Sequence, residues 1–233
     1  MVSPRQQAQL RSTIQNESVP DRHSLKIEIY NLGPLENNTF LLIDEATNQA
    51  AIVDPTFDSQ GIWEDIRSQG LNLVWVLNTH AHIDHVYENA YFVEKSGARL
   101  ALHPDDFPLL NALQRQADWM GMPAPTPSLP TYRFTDGETI DIGNETIQII
   151  QTPGHSPGSV SLLGDGWVIS GDALFAGSIG RTDLPGGDTD TLLNAIKSRL
   201  LVLPDTTIVY PGHGPSTSIG IEKDSNPYIR GLF

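Results

Sequence analysis

The stretch that most constrains this chain is Asn78-Thr79-His80-Ala81-His82-Ile83-Asp84-His85, which follows directly on the apolar run Leu73 to Leu77. A short apolar run of that kind reads as a buried strand. Four side chains of metal-binding type therefore emerge at a strand's mouth within six positions. His80 and His82, two apart, lie on one side of an extended or looping backbone. Asp84 and His85 follow where the chain must turn, and neighbours in a turn point different ways, so these two can serve a second ion. Three of the seven histidines crowd into this hexapeptide, which weighs against a polar loop with chance histidines. A metal site draws ligands from separated segments, so the later chain has to supply more.

Three later segments do so, each with a strand followed by an abrupt polar turn. Thr152-Pro153-Gly154-His155-Ser156-Pro157-Gly158 follows Ile147 to Gln151, Ser170-Gly171-Asp172 follows Trp167 to Ile169, and Pro211-Gly212-His213-Gly214 follows Ile208 to Tyr210. Each candidate has glycine beside it, which permits a positive φ or a close backbone approach. The inventory is His80, His82, Asp84, His85, His155, Asp172 and His213. Mixed imidazole and carboxylate donors suit zinc, iron or manganese rather than the all-oxygen shell of calcium. Seven are too many for one tetrahedral ion and about right for two sharing a bridge. Asp54, at the end of the short apolar strand Ala50 to Val53, is either a further ligand or a carboxylate that buttresses the His80 loop. His103 is expected to be a strand-end residue and not a ligand, because no partner acid is evident beside it.

The remaining pattern alternates strand and helix, an α/β signature. Strands are expected at Leu25 to Tyr30, Asn38 to Asp44, Ala50 to Val53, Leu73 to Leu77 and Ala98 to Leu102. A further set is expected at Glu138 to Ile142, Thr146 to Gln151, Ser159 to Leu163, Trp167 to Ser170 and Thr207 to Tyr210, the last clear strand. Helices are expected at Ser59 to Gln69, Val86 to Lys95, Pro104 to Met120 and Asp188 to Leu203. Met122 to Pro130 carries four prolines and is expected to be irregular. Residues 1–23, rich in Gln, Ser and Asn, are expected to form a loose tail, with 24–233 a single domain of two packed sheets with helices outside.

Charge and composition narrow the function classes. With 14 Lys plus Arg against 28 Asp plus Glu, the net charge of −14 repels phosphate backbones and disfavours nucleic acid as a partner. No apolar run reaches the roughly 18 residues needed to cross a membrane, and Met1 to Arg22 lacks the apolar core of a secretory signal, so a cytoplasmic protein is expected. The absence of cysteine removes disulfides, thiolate ligands and a cysteine nucleophile.

The set His80-Ala81-His82-Ile83-Asp84-His85, Thr152-Pro153-Gly154-His155, Gly171-Asp172 and Gly212-His213 resembles the metallo-β-lactamase superfamily, from about Leu25 to the C-terminus. The resemblance implies a four-layer αββα sandwich with two divalent metal ions, zinc foremost, at one edge of the sheets. It implies that His80, His82 and His155 hold the first ion, that Asp84, His85 and His213 hold the second, and that Asp172 bridges them. Gly171-Asp172-Ala173-Leu174-Phe175, the stretch Gly180 to Asp188, and the tail with Pro211 to Pro215, Ile219-Gly220, Glu222 and Asn226-Pro227 are similar to short bacterial glyoxalase II-like hydrolases. That implies hydrolysis of a small-molecule thioester such as S-lactoylglutathione or a related acyl-thiol. Asp84 would hold the attacking hydroxide or carry its proton. Asp183 stands where those enzymes carry a tyrosine that contacts glutathione. Arg181, the one basic residue in the loop past Asp172, either grips a substrate carboxylate or pairs with Asp183 or Asp188. Persulfide dioxygenases, with one iron held by two histidines and an aspartate, and lactonases are the alternatives within the superfamily.

Overall fold

The computed structural model describes residues 25–230, so the tail expected over 1–23 lies outside the described residues. Six strands form the first sheet: β1 (Lys26–Leu32), β2 (Asn37–Asp44), β3 (Gln49–Val53), β4 (Asn72–Leu77), β5 (Arg99–Leu102) and β6 (Tyr132–Arg133), in that spatial order. The first three pair antiparallel and the rest parallel. The chain then builds β7 (Thr139–Ile142), β8 (Glu145–Gln151), β9 (Val160–Gly164) and β10 (Trp167–Gly171), a small hairpin of β11 (Leu174–Phe175) and β12 (Ser178–Ile179), then β13 (Ile208–Pro211) and β14 (Thr217–Ser218). The second six-stranded sheet runs β14-β13-β10-β9-β8-β7.

The two sheets face each other because successive side chains on a strand point opposite ways. On β2, Phe40 and Leu42 turn into the space between the sheets, while Leu41 and Ile43 turn outward under helices. Leu77, Ile140, Ile147, Ile149, Leu162 and Ile169 complete the inter-sheet core. Outside the first sheet lie α1 (Ile62–Ser68) and, after a single helical turn α2 (Ile83–Val86), α3 (Asn89–Ser96). Two short helices, α4 (Phe107–Leu110) and α5 (Leu113–Met120), pack with α2 in a cluster of their own. Outside the second sheet lie α6 (Thr189–Ala195) and α7 (Ile219–Ser225). The result is the four-layer αββα sandwich. No helix among the described residues is long and apolar enough to cross a membrane.

Several elements differ from the sequence expectation, each for a local reason. The helix expected over Pro104 to Met120 is broken at Asn111-Ala112. Ala112 N–H donates to the Leu109 carbonyl, which also takes the Gln116 side chain at 3.0 Å, so the ladder is interrupted there. The helix expected over Val86 to Lys95 starts earlier as the turn α2 and resumes at Asn89. The amphipathic run from Asp188 ends in a wider turn over Ile196–Leu200, where Leu201 N–H bonds the Ile196 carbonyl five residues back. That extra residue per turn lets both Leu200 and Leu201 reach the core. Tyr132-Arg133, where no strand is expected, closes the edge of the first sheet. Beyond the strand expected to be last, β14 and α7 were not anticipated. His103 does have an acid beside it, its Nδ1 lying 3.7 Å from Asp105 Oδ2, and it caps the turn that follows β5.

Candidate metal centre

All seven residues of the sequence inventory meet at one edge of the sandwich, where β4, β8, β10 and β13 end. The donor atoms of His80, His82 and His155 lie within 4.8 Å of one another, as do those of His80, His85 and Asp172, and those of Asp84, His85 and His213. Asp172 stands between groups: its Oδ2 is 3.5 Å from His155 Nε2 and 3.6 Å from His213 Nε2, and its Oδ1 is 3.6 Å from His85 Nε2.

The strand ends are shaped for this. The β10–β13 register slips at Ser170, a bulge that re-aims the chain just before Asp172. Gly171 follows at φ 51°, and a Cβ there would lie 2.6 Å from Thr79 Oγ1. A Cβ on Gly212 would run into Asp172 Oδ1 and His85 Cε1, so only glycine lets the His213 turn come this close.

Hydrogen-bond partners fix the imidazole tautomers, because a carbonyl or carboxylate only accepts. His155 Nδ1 donates to the Arg181 carbonyl at 2.7 Å, His213 Nδ1 to the Leu35 carbonyl at 2.9 Å, and His85 Nδ1 to Asp54 Oδ2 at 3.0 Å. Thr79 Oγ1 gives its own hydrogen to Asp54 Oδ2 at 2.6 Å, so it accepts from His80 Nδ1 at 3.1 Å. In the neutral rings four Nε2 lone pairs are thereby aimed inward. His80 Nε2 and His155 Nε2 face each other at 3.2 Å with no proton assigned between them, and His82 Nδ1 lies 2.9 Å from the same His155 Nε2. Nitrogens about 2.0–2.1 Å from a tetrahedral ion stand about 3.3–3.4 Å apart. Opposed lone pairs at this spacing fit a shared cation, and the buried Oδ1 of Asp172, which has no hydrogen-bond partner, fits one too.

The electrostatics agree. Burial pushes His80 well below the usual imidazole range and His82 down to about 4, with neighbouring imidazoles adding to both. Burial also opposes charge on His85, but Asp84, Asp172 and Asp54 outweigh it and push His85 up to about 10. Burial raises Asp84, yet His85 and the hydrogen bonds from His213 and Asn37 hold it far below the usual carboxylate range.

Asp54 acts as the buttress of the two readings offered by the sequence. It accepts from Thr79 N, Thr79 Oγ1 and His85 Nδ1. Four contributors escaped sequence reasoning. Asp106 accepts from Ala81 N at 2.9 Å, Ser156 Oγ at 2.7 Å and Gly158 N at 2.6 Å. Gln116 bonds both the Ala81 carbonyl and the Ile83 N–H. Asn37 donates to Asp84 Oδ2 at 2.9 Å. Glu222, placed by the sequence only as part of the tail motif, accepts from Gly177 N, Thr217 Oγ1 and Asn226 Nδ2 and so clamps the hairpin after Asp172. An acid opening a helix gives no hint of a partner 50 residues on. Arg181 is exposed, and its guanidinium is forked onto Asp183 at 2.7 and 2.8 Å.

Comparison with known proteins gives a consistent picture. The family model described as the metallo-beta-lactamase superfamily matches residues 32–213. Hydroxyacylglutathione hydrolase GloC of Haemophilus influenzae is 36% identical over 210 residues, 88% of this chain and 98% of that protein. Among solved structures, BLEG-1 B3 metallo-beta-lactamase superposes with a TM-score of 0.83 at 36% identity, covering 88% of this chain and 100% of that one. TTHA1623 in a di-iron-bound form gives 0.78 at 37% identity, covering 86% and 99%.

Proposed function

This chain belongs to the metallo-β-lactamase superfamily and is a metal-dependent hydrolase, and we propose that it hydrolyses thioesters of the hydroxyacylglutathione type at a centre of two divalent ions, zinc foremost. His80, His82 and His155 would hold one ion, Asp84, His85 and His213 the other, and Asp172 would bridge them. Ions bound there would acidify water to near neutrality and polarise the carbonyl of the substrate.

The observation that carries the thioester reading is the protonation pattern of the centre. Its carboxylate Asp84 is held ionised, and once ions displace the protons of His85 and His213 the inward nitrogens of His80, His155, His85 and His213 would all be metal-bound lone pairs. Asp84 is therefore equipped to take a proton from attacking water, and with ions bound no ligand of the centre would start the reaction holding a proton ready for a leaving group. A thiolate leaves with little need of a proton, whereas an amine requires one. Likeness to a hydroxyacylglutathione hydrolase supports the same reading. Arg181 serves as a handle for an anionic acyl-thiol only if substrate displaces Asp183 from the exposed fork, where a pair contributes little.

Steady-state turnover of S-lactoylglutathione, a β-lactam and an acyl lactone, side by side, tests the reading. Thioester turnover that disappears on chelation and returns with added metal is expected, with kcat/KM at least about tenfold above the other two. Turnover of the β-lactam or lactone alone, or oxygen uptake with a persulfide and no hydrolysis, would reject it.

A further inference from the structure

Asn37 opens β2 and is fully buried. Its Nδ2 lies 2.9 Å from Asp84 Oδ2, 3.3 Å from His85 Nε2 and 3.3 Å from His213 Nε2. Those are the donor atoms of one triad, and Asp84 Oδ2 is itself 3.5 Å from His85 Nε2 and 3.4 Å from His213 Nε2. Five of the six edges of this four-atom figure thus fall between 2.9 and 3.5 Å. Four ligands about 2.0–2.2 Å from one ion stand about 3.3–3.6 Å apart, so the amide stands where a further ligand of that ion would, in addition to the bridging Asp172. The other end of the amide, Oδ1, is buried with no hydrogen-bond partner, an uncommon state for a buried polar atom.

We infer that Asn37 is a ligand of the second ion, through Oδ1. A half-turn of the amide exchanges Nδ2 for Oδ1 at the same vertex. The N–H groups that suit Asp84 are repelled by a cation, and the carbonyl oxygen is attracted to it. The half-turn gives up one hydrogen bond to Asp84 and sacrifices none at Oδ1. The backbone keeps the amide in place. Asn37 pairs with His213 across an isolated bridge. Its neighbour Asn38 donates from its backbone to the Gly212 carbonyl at 2.7 Å, and from its side chain to the carbonyls of Pro211 and Gly214 at 3.0 and 2.8 Å. An amide oxygen beside a carboxylate and two imidazoles makes this triad a harder set than His80, His82 and His155, so it should accept manganese or iron(II) more readily than the all-imidazole site does.

The inference rests on the two-ion reading, and the test separates them. Wild type, Asn37→Asp and Asn37→Leu are stripped of metal and titrated with Co2+ against a chelator of known affinity, so that first and second ions are resolved. Asn37→Asp keeps an oxygen at the vertex and adds charge, so the second ion should bind at least about tenfold tighter. Asn37→Leu should weaken the second ion by at least about tenfold. The first-ion constant should stay within about threefold of wild type in both. If Asn37 acts only by donating to Asp84, Asn37→Asp sets two carboxylates together, and a second ion bound no tighter than in wild type overturns the inference. Should either variant fail to fold, a crystal structure of the Mn2+-loaded wild type decides. An amide oxygen within about 2.5 Å of the second ion supports the role, and no amide atom nearer than about 3 Å overturns it. A wild type that binds one ion only defeats the two-ion reading itself.

Discussion

The buried carboxylate of Asp106 accepts a hydrogen bond from the Ser156 hydroxyl at 2.7 Å across 50 residues of chain. It also accepts the N–H of Ala81, the residue between His80 and His82, and the N–H of Gly158, three beyond His155. One carboxylate therefore sets the distance between the two turns of the first triad. Asp106→Ala strands three buried donors at about 1–3 kcal/mol each, so urea unfolding of the metal-free protein should show a loss of at least about 3 kcal/mol. An unchanged midpoint would mean that water replaces the carboxylate at no cost.

The pKa shifts of the centre give the metal-free chain a stability maximum near pH 6.5. His80 and His82 stay neutral in the fold while their unfolded counterparts take up protons below about pH 6.5. The unfolded state then binds more protons, so these two make stability fall as the pH drops from 6.5 toward 4. His85 has the opposite sign. Its raised folded pKa contributes stability that is fully present below about 6.5 and is lost as pH rises through about 10. Denaturation of chelator-treated protein at a series of pH values checks this, and a monotonic rise from pH 5 to 10 would contradict it. Metal binding should carry the same asymmetry. A second ion would displace a proton from His85 and from His213, whose pKa is also raised, so its affinity should climb with pH through the neutral range.

The two halves of the sandwich are tied at their far edge by Asp44, which accepts from Asn144 N, Ala46 N and Thr47 Oγ1. Burial raises its pKa, but these bonds outweigh burial and hold it below the usual carboxylate range. Its contribution is present above about pH 4 and lost as pH falls through the folded value. Asp44→Asn should cost about 1–3 kcal/mol at pH 7 and less at pH 3, measured by urea unfolding at both. Equal losses at the two pH values would refute the charge-based account.

How far the sequence reaches depends on the range of the interaction. His80, His82, Asp84 and His85 were legible because a short apolar run and the spacing of four polar side chains are local. The turns at His155, Asp172 and His213 were legible because glycine and proline mark where a strand stops. The alternation over Leu25 to Tyr30 and the wholly apolar Ala50 to Val53 marked β1 and β3 as strands. Asp106, Gln116 and Asn37 were not legible, because what each does depends on groups brought together only by folding. The breaks at Asn111 and Ile196 were missed for a related reason. Apolar periodicity persists through a helix whose hydrogen-bond ladder has been rerouted.

Arg181→Ala separates two uses of that side chain. If the guanidinium leaves Asp183 to grip a carboxylate on the substrate, KM for anionic thioesters should rise severalfold, with neutral thioesters nearly untouched. If the fork onto Asp183 serves to hold the loop whose carbonyl orients His155, both substrate classes should lose kcat together.

Asp172→Ala removes the carboxylate that stands between the two triads, while the inter-sheet core of Phe40, Leu42, Ile149 and Ile169 is untouched. Turnover should fall by more than about 100-fold, the upper end of what losing a supporting partner costs a metal site. The thermal midpoint of the metal-free protein should fall little. Near-native turnover would show that Asp172 is no bridge.

Metal stoichiometry tests the two-ion centre most directly. Elemental analysis of protein purified without chelator, then equilibrated with Zn2+ and freed of excess, should give about two ions per chain. A single tightly bound ion per chain, unchanged by further metal, would contradict the two-ion centre.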